Sequence, residues 1–229
     1  MLSTPILLDY QSSTPCSKDV VDSMKPFWSE IFSNPSNKSN LAGINASAIL
    51  EASREKIEQN LFLKNKKVIF TSGATESNNL ALLGFARNYY KKTGNYGHII
   101  TLKTEHKAVL EPLHQLKKEG FMVTEITPER DGIISEEQFR KNIREDTFLV
   151  SVMMANNEIG VIQPIENISK ICKLRGITFH SDFAQCLGYV ELDNLLSDVN
   201  MITMSSHKIY GPKGIGLLLI DQDITLEPL

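Results

Sequence analysis

Nowhere in these 229 residues do apolar positions run for the roughly 20 that a membrane-spanning helix needs, and Pro5 and Asp9 interrupt the apolar stretch near Met1. Neither membrane insertion nor export is expected. Positive charge is missing too: 24 lysines and arginines stand against 27 acidic residues, a formal charge of -3 with a pI near 6.0, and no dense basic run occurs. That balance leaves no electrostatic footprint for nucleic acid or a lipid surface, so a small-molecule ligand is expected. The three cysteines, Cys16, Cys172 and Cys186, are widely spaced and form no C-x-x-C pair, so neither a disulfide framework nor a zinc site is indicated, and no metal site is expected. A reducing cytosol or organelle matrix fits. The chain has no G-x-G-x-x-G for a dinucleotide and no Walker-type G-K-[ST] loop. Internal repeats, low-complexity tracts and linkers are likewise absent.

What the chain does have is globular composition, 41% hydrophobic and 22% charged, with length for one large domain or two small ones. Its start is irregular: Leu7 and Leu8 read as a short extended piece, Lys18 to Ile31 as a helix capped near Ser17, and Asn34 to Asn40 as a polar loop. Helical spacing of Ile49, Leu50, Ala52, Ile57 and Leu61 predicts a helix from Ala46 to Leu63. Strands are then predicted at 68–70, 99–102, 122–126, 148–153, 177–180, 201–204 and 216–220, with helices at 76–90, 109–119, 136–143 and 165–174. Such alternation predicts an α/β fold, a mostly parallel central sheet with helices on both faces. Ligands of open parallel sheets sit beyond the carboxyl ends of the strands, and the polar segments of this chain cluster there.

Lys208 is the first of these. The apolar run Met201 to Met204 ends in Ser205-Ser206-His207-Lys208, and a turn rich in glycine follows at Gly211-Pro212-Lys213-Gly214-Ile215-Gly216. A partly desolvated lysine at a strand end is a nucleophilic amine able to form a Schiff base, although a lysine can also simply snorkel to solvent. Ser72-Gly73-Ala74-Thr75-Glu76 joins a strand to a helix, which suits an anion cradle or an ordinary turn capped by Thr75. Asp182, after the strand ending at His180, suits a partner for a protonated ring nitrogen or a turn residue. His106 stands where an imidazole could stack on a flat ligand and relay protons, while His98 and His114 read as surface or structural residues. Asn156 and Asn157 suit either a polar ligand edge or a plain turn. Cys172 reads as core, and Cys16 and Cys186 read as structural.

Taken together, S205-S-H-K-I-Y-G-P-K-G-I-G216, H180-S-D-F-A-Q185, T71-S-G-A-T-E-S-N-N79, T104-E-H-K-A-V109 and N156-N-E-I-G-V161 resemble, in order and spacing, the class V aminotransferase superfamily and within it the cysteine desulfurases. The resemblance covers nearly the whole chain. It implies pyridoxal 5′-phosphate as cofactor, with Lys208 as the Schiff-base residue and His106 stacked on the ring. By the same resemblance Ala74, Thr75, Ser205 and His207 hold the phosphate, Asp182 the ring nitrogen, and Gln185 and Asn157 the ring oxygen. It divides the chain into an N-terminal arm, residues 1–15, lying over the site, and a cofactor-binding large domain, residues 16–229. Asn40 stands where a family histidine often follows the Asn34-Pro35-Ser36 turn, and Phe183 where many members carry a small residue. The implied reaction takes sulfur from L-cysteine to give L-alanine and an enzyme persulfide, destined for iron-sulfur clusters or thiolated tRNA. Implied partners are a second copy in a homodimer and a scaffold or other sulfur-acceptor protein, with no direct nucleic acid or membrane contact, in the cytoplasm or a mitochondrial matrix. Family members are longer, and their second domain carries the persulfide cysteine and a carboxylate-binding arginine, so this chain is expected to be truncated. Another class V lyase or aminotransferase, or a cofactor-binding remnant without turnover, are the alternatives.

Overall fold

The computed structural model describes residues 5–63, 65–192 and 195–229. The first four residues of the predicted arm therefore lie outside the described residues. Seven strands are present among them: β1 (Lys66–Thr71), β2 (His98–Leu102), β3 (Met122–Ile126), β4 (Thr147–Ser151), β5 (Thr178–Asp182), β6 (Met201–Ser205) and β7 (Gly216–Asp221). They form one sheet in the order β1-β7-β6-β5-β4-β2-β3. The pairs from β3 across to β6 are parallel, and β7 runs antiparallel to both β6 and β1. The expected α/β architecture, a mostly parallel sheet, is thus what the chain adopts. From β2 the chain steps outward to β3 and then returns to the other side of β2 as β4, a reversal of direction that opens a crevice at the strand ends.

Strict alternation along the strands builds two cores. Ile100, Leu102, Val150, Phe179 and Ile202 point to one face and pack with Phe139 of α7 (Glu136–Asn142) and with Ile168 and Ile171 of α8 (Ile165–Arg175). Their neighbours Ile99, Leu149, Met201 and Leu218 point to the other face. There they meet Val109, Leu113 and Leu116 of α6 (Lys107–Glu119) and the helical run 74–93. Every residue of β2, β4 and β6 is buried, as expected for strands covered on both sides. No helix among the described residues is long and apolar enough to cross a membrane.

Several boundaries move for identifiable reasons. The predicted helix 18–31 is two, α1 (Lys18–Met24), capped by Ser17, and α2 (Pro26–Ser29), because Pro26 has no N–H to continue the ladder. The next helix, α3 (Leu41–Asn60), starts well before Ala46, since the Asn40 side chain accepts from the Gly43 N–H at 2.8 Å. Gly43 also lets the polar loop press against the helix: a Cβ there would sit 2.1 Å from the Asn37 carbonyl oxygen. The predicted helix 76–90 is longer and interrupted, comprising α4 (Ala74–Asn79), a π-turn over Leu80–Gly84 and α5 (Phe85–Thr93). Strand β5 runs on to Asp182 rather than stopping at His180, and β4 ends at Ser151 rather than Met153. Helix α9 (Leu195–Asp198) was not anticipated, and Leu7 and Leu8 join no ladder.

His180 sits fully buried in the centre of β5, its ring nitrogens 2.9 Å from Ser151 Oγ and 3.1 Å from Thr203 Oγ1. Burial pulls its pKa down from 6.5 to about 3. The folded state therefore keeps the ring neutral where the unfolded chain takes up a proton. Stability from this group is complete above pH 6.5 and is lost progressively as pH falls toward 3. Urea midpoints measured from pH 7.5 to 5 should decline, and His180→Asn, though less stable overall, should flatten the decline.

Candidate active site

A cavity of about 640 Å³ opens at the carboxyl ends of β1, β5 and β6, walled by the segments that follow β2 and β4 and roofed by residues 11–13 of the arm. One row of residues frames its floor. Thr71 pairs with Gly216, and Gly216 with Ser205, so the β1 end, the β7 start and the β6 end meet at one register position. A Cβ on Gly216 would lie 2.6 Å from Gly73 Cα, so a larger residue there would push away the loop that leads into α4.

That loop ends in a helix start without a side-chain cap. The N-cap is Gly73, and Thr75, a candidate capping residue from sequence, is instead the second helical residue. Glu76 folds back so that its carboxylate accepts from the Ser72 N–H at 2.7 Å and the Ser72 hydroxyl at 2.5 Å, which lowers its pKa. Ala74 and Thr75 line the cavity beside the positive end of the helix dipole. His207 and Lys213 line the same side, and burial followed by the charges of Lys208 and Lys213 lowers the His207 pKa.

Lys208 ends a 3-10 turn, Ser206–Lys208, directly after β6. Its Nζ donates to the Gln11 and Ser12 carbonyls at 2.8 and 3.0 Å, tying the arm across the cavity. The backbone reinforces the tie, with the Thr14 N–H donating to the His207 carbonyl at 2.8 Å and the Ser17 N–H to the Tyr210 carbonyl at 2.8 Å. Burial lowers the Lys208 pKa, opposed by the charges of Asp182 and Asp9. Asp182 faces the cavity from the end of β5 while remaining only 5% exposed. Its Oδ2 accepts from Asn78 Nδ2 at 2.7 Å and its Oδ1 from the Ala184 N–H at 2.8 Å. Burial pushes its pKa up, and Asn78, Ala184, His106 and Lys208 pull it back down.

His106 lines the cavity but also caps α6: its Nδ1 accepts from the Ala108 N–H at 3.1 Å, so the neutral ring carries its proton on Nε2. The two asparagines divide their work. Asn156 shapes the turn, accepting from the Glu158 and Ile159 N–H groups at 2.8 and 2.9 Å and donating to the Thr104 carbonyl at 2.7 Å. Asn157 faces the cavity, as does Gln185, whose amide donates to the Gln11 carbonyl at 3.0 Å.

The cavity thus gathers Ala74, Thr75, His106, Asn157, Asp182, Gln185, His207 and Lys208. Ser205 is not part of its lining. It lies just behind, 4% exposed, with a buried Oγ that has no hydrogen-bond partner. An orphaned hydroxyl next to an uncapped helix start and a histidine fits the phosphate of pyridoxal phosphate, and a buried carboxylate across the cavity fits its ring nitrogen. Sequence reasoning missed Asn78 and Glu105. Glu105 is buried, accepts from the Met153 N–H at 2.8 Å and leaves Oε2 unpartnered, and burial raises its pKa well above the usual carboxylate range. Both were legible only as polar members of motifs whose neighbours drew attention.

The family model Aminotransferase class-V matches residues 6–228. The chain is 48% identical over 219 residues to the cysteine desulfurase IscS of Ehrlichia chaffeensis, covering 96% of this chain and 52% of that protein. It is 46% identical over 227 residues to the mitochondrial cysteine desulfurase of Eremothecium gossypii, covering 98% of this chain and 46% of that protein. It therefore spans about half the length of the curated relatives it matches. Among solved structures, that of SspA in complex with cysteine superposes with a TM-score of 0.90 at 39% identity, covering 98% of this chain and 64% of that one.

The three thiols differ in environment. Burial pushes Cys172 and Cys186 up to about 12, whereas Cys16 is half-exposed beside a separate groove that Trp28 and Pro212 also line. Iodoacetamide at pH 8 should alkylate Cys16 in the native chain and reach Cys172 and Cys186 only after denaturation, as read by peptide mass.

Proposed function

Because this chain belongs to the class V aminotransferase family, we propose that its cavity holds pyridoxal 5′-phosphate and that the whole protein is a cysteine desulfurase. The observation that carries the reading is a lysine amine and a buried carboxylate opening on one cavity rimmed by an uncapped helix start. Residues 16–229 are on this reading the cofactor-binding large domain, and residues 1–15 the arm that closes it.

When bound, pyridoxal phosphate supplies an electron sink for bonds around the substrate α-carbon. The residues of this chain supply position and protons. Ala74, Thr75, Ser205 and His207 would hold the phosphate, and Asp182 would be the partner of the ring nitrogen. Asn157 and Gln185 would hold the ring oxygen, and His106 would supply an imidazole beside the ring. Lys208, its pKa lowered by burial, would be the amine that holds the cofactor and moves protons at Nζ. The arm carbonyls of Gln11 and Ser12 hold that amine in place.

The net reaction converts L-cysteine and a protein thiol into L-alanine and a protein persulfide. The thiol must ionise and reach the substrate sulfur. Cys172 and Cys186 do neither, since both are buried with pKa values of about 12. Among the described residues the cavity lining contains no cysteine and no arginine. We therefore assign the acceptor thiol and the carboxylate-binding cation to parts of the whole protein beyond this chain. The N-terminal region, from the arm to just past α2, leaves Leu8 89%, Trp28 79% and Phe32 76% exposed, apolar surface that supports a covering second subunit in a homodimer. Sulfur then passes to an iron-sulfur scaffold or another acceptor protein, in the cytoplasm or the mitochondrial matrix.

Borohydride treatment of the chain loaded with pyridoxal phosphate should fix the cofactor to Lys208. Label on Lys213 or Lys103 with Lys208 unmodified would contradict the assignment. Asp182→Asn should weaken cofactor binding by roughly tenfold, the loss of one charge-assisted hydrogen bond. Supplied with pyridoxal phosphate, L-cysteine and a reductant, these 229 residues alone should release no alanine. Turnover that requires both Lys208 and Cys186 would refute this account of the sulfur acceptor.

A further inference from the structure

We propose that Asn78, on the second turn of α4, is a positioning residue that orients the Asp182 carboxylate toward the cavity and holds it in its charged form. The proposal rests on the cofactor reading above, since Asp182 is the group meant to meet the ring nitrogen. Asn78 is fully buried, and its Nδ2 reaches Asp182 Oδ2 at 2.7 Å. The same side chain leaves its Oδ1 buried with no partner. An unpaired buried carbonyl is costly, and a leucine of similar size would incur no such cost. The cost is understandable if the amide has one task, donation to Asp182.

Geometry gives that donation two effects. With Asn78 on Oδ2 and the Ala184 N–H on Oδ1, each carboxylate oxygen has one fixed donor, which sets the plane of the group. The remaining lone pairs are left for the cavity that Asp182 lines. An ionised carboxylate accepts from both donors, whereas a protonated one would waste a lone pair on its own hydrogen. Charged and titratable groups on every side of Asp182 bear on its state. Lys208 after β6 and His106 before α6 favour the charge, while Glu105 after β2 couples to it as a second buried acid. Cys186 after β5 is a thiol that burial and, second to it, the Asp182 charge push up, and His180 within β5 is engaged by Ser151 and Thr203. Asn78 is the donor that comes from the helix whose start also faces the cavity. The phosphate cradle and the ring-nitrogen partner are thereby fixed to a single rigid element. The π-turn that begins at Leu80 follows immediately, so α4 ends as soon as Asn78 and Asn79 have been placed.

The test uses the cofactor-free chain labelled with ¹³C at aspartate carboxyls, the Asp182 signal being assigned by its loss in Asp182→Asn. Its titration midpoint should rise by about one unit or more in Asn78→Leu, which removes the donor, and in Asn78→Asp, which keeps the shape and replaces the donor with an acceptor. A midpoint unchanged in either folded variant overturns the proposal. A second arm measures pyridoxal phosphate affinity for the native chain, Asn78→Leu, Asp182→Asn and the double variant. If Asn78 acts through Asp182, Asn78→Leu weakens binding by roughly tenfold in the native background and by less than about twofold in the Asp182→Asn background. Equal losses in both backgrounds would mark Asn78 as a packing residue only and overturn the proposal. A native chain that takes up no pyridoxal phosphate would defeat the cofactor reading instead, leaving the carboxyl titration to decide Asn78.

Discussion

The site is organised around one carboxylate, that of Asp182, at the buried end of β5. Removing a carboxylate from water costs several kcal/mol unless donors and countercharges replace the lost hydration. Here the donors are Asn78 from α4 and the Ala184 backbone, and the nearby Lys208 and His106 favour the charged form. Each comes from a different element, so the carboxylate is satisfied only when β5, β6, α4 and the start of α6 are all in place. The parallel pairing of β5 with β6, which sets Asp182 against Thr203, fixes how far each strand end protrudes.

Lys208 faces the opposite problem. Its amine lies where the same low-dielectric surroundings disfavour its charge, and it is held by the Gln11 and Ser12 carbonyls of the arm rather than by a carboxylate in contact. A carbonyl can hold an amine without fixing it in an ion pair, which suits a group that must exchange partners. The arm is in turn anchored at Thr14, whose N–H donates to the His207 carbonyl and whose Oγ1 accepts from the Tyr210 N–H, so the segment that roofs the cavity is pinned to the turn that carries the amine. Close approach at Gly216 and Gly73 completes the floor, and the start of α4, the amine and the carboxylate open on a single space.

Much of this was legible in the sequence because the buried strands are apolar and the helices periodic. What was not legible follows a pattern. The strand predicted to end at His180 stops short because Ser181 and Asp182 look like loop residues, yet both are buried and paired with Ile202 and Thr203 of β6. Helix α3 was started late because Asn40, read as part of a polar loop, is its cap. Within the site, motif order brought out the residues that line the cavity, but it could not separate Ser205, which lies behind the lining, from those on its surface. Asn78 was invisible for a related reason. In Thr75-Glu76-Ser77-Asn78-Asn79 every residue is polar, and only packing reveals that Ser77 and Asn78 face inward while Glu76 and Asn79 do not.

The central claim is that Asp182 presents a negative charge to a ring nitrogen in this cavity. The most direct measurement is the ¹⁵N chemical shift of ring-labelled pyridoxal phosphate bound to the chain, followed across neutral and mildly alkaline pH. The account predicts a protonated ring nitrogen throughout that range, becoming unprotonated in Asp182→Asn. An unprotonated nitrogen in the native chain, or a protonated one that survives loss of the Asp182 carboxylate, would contradict it.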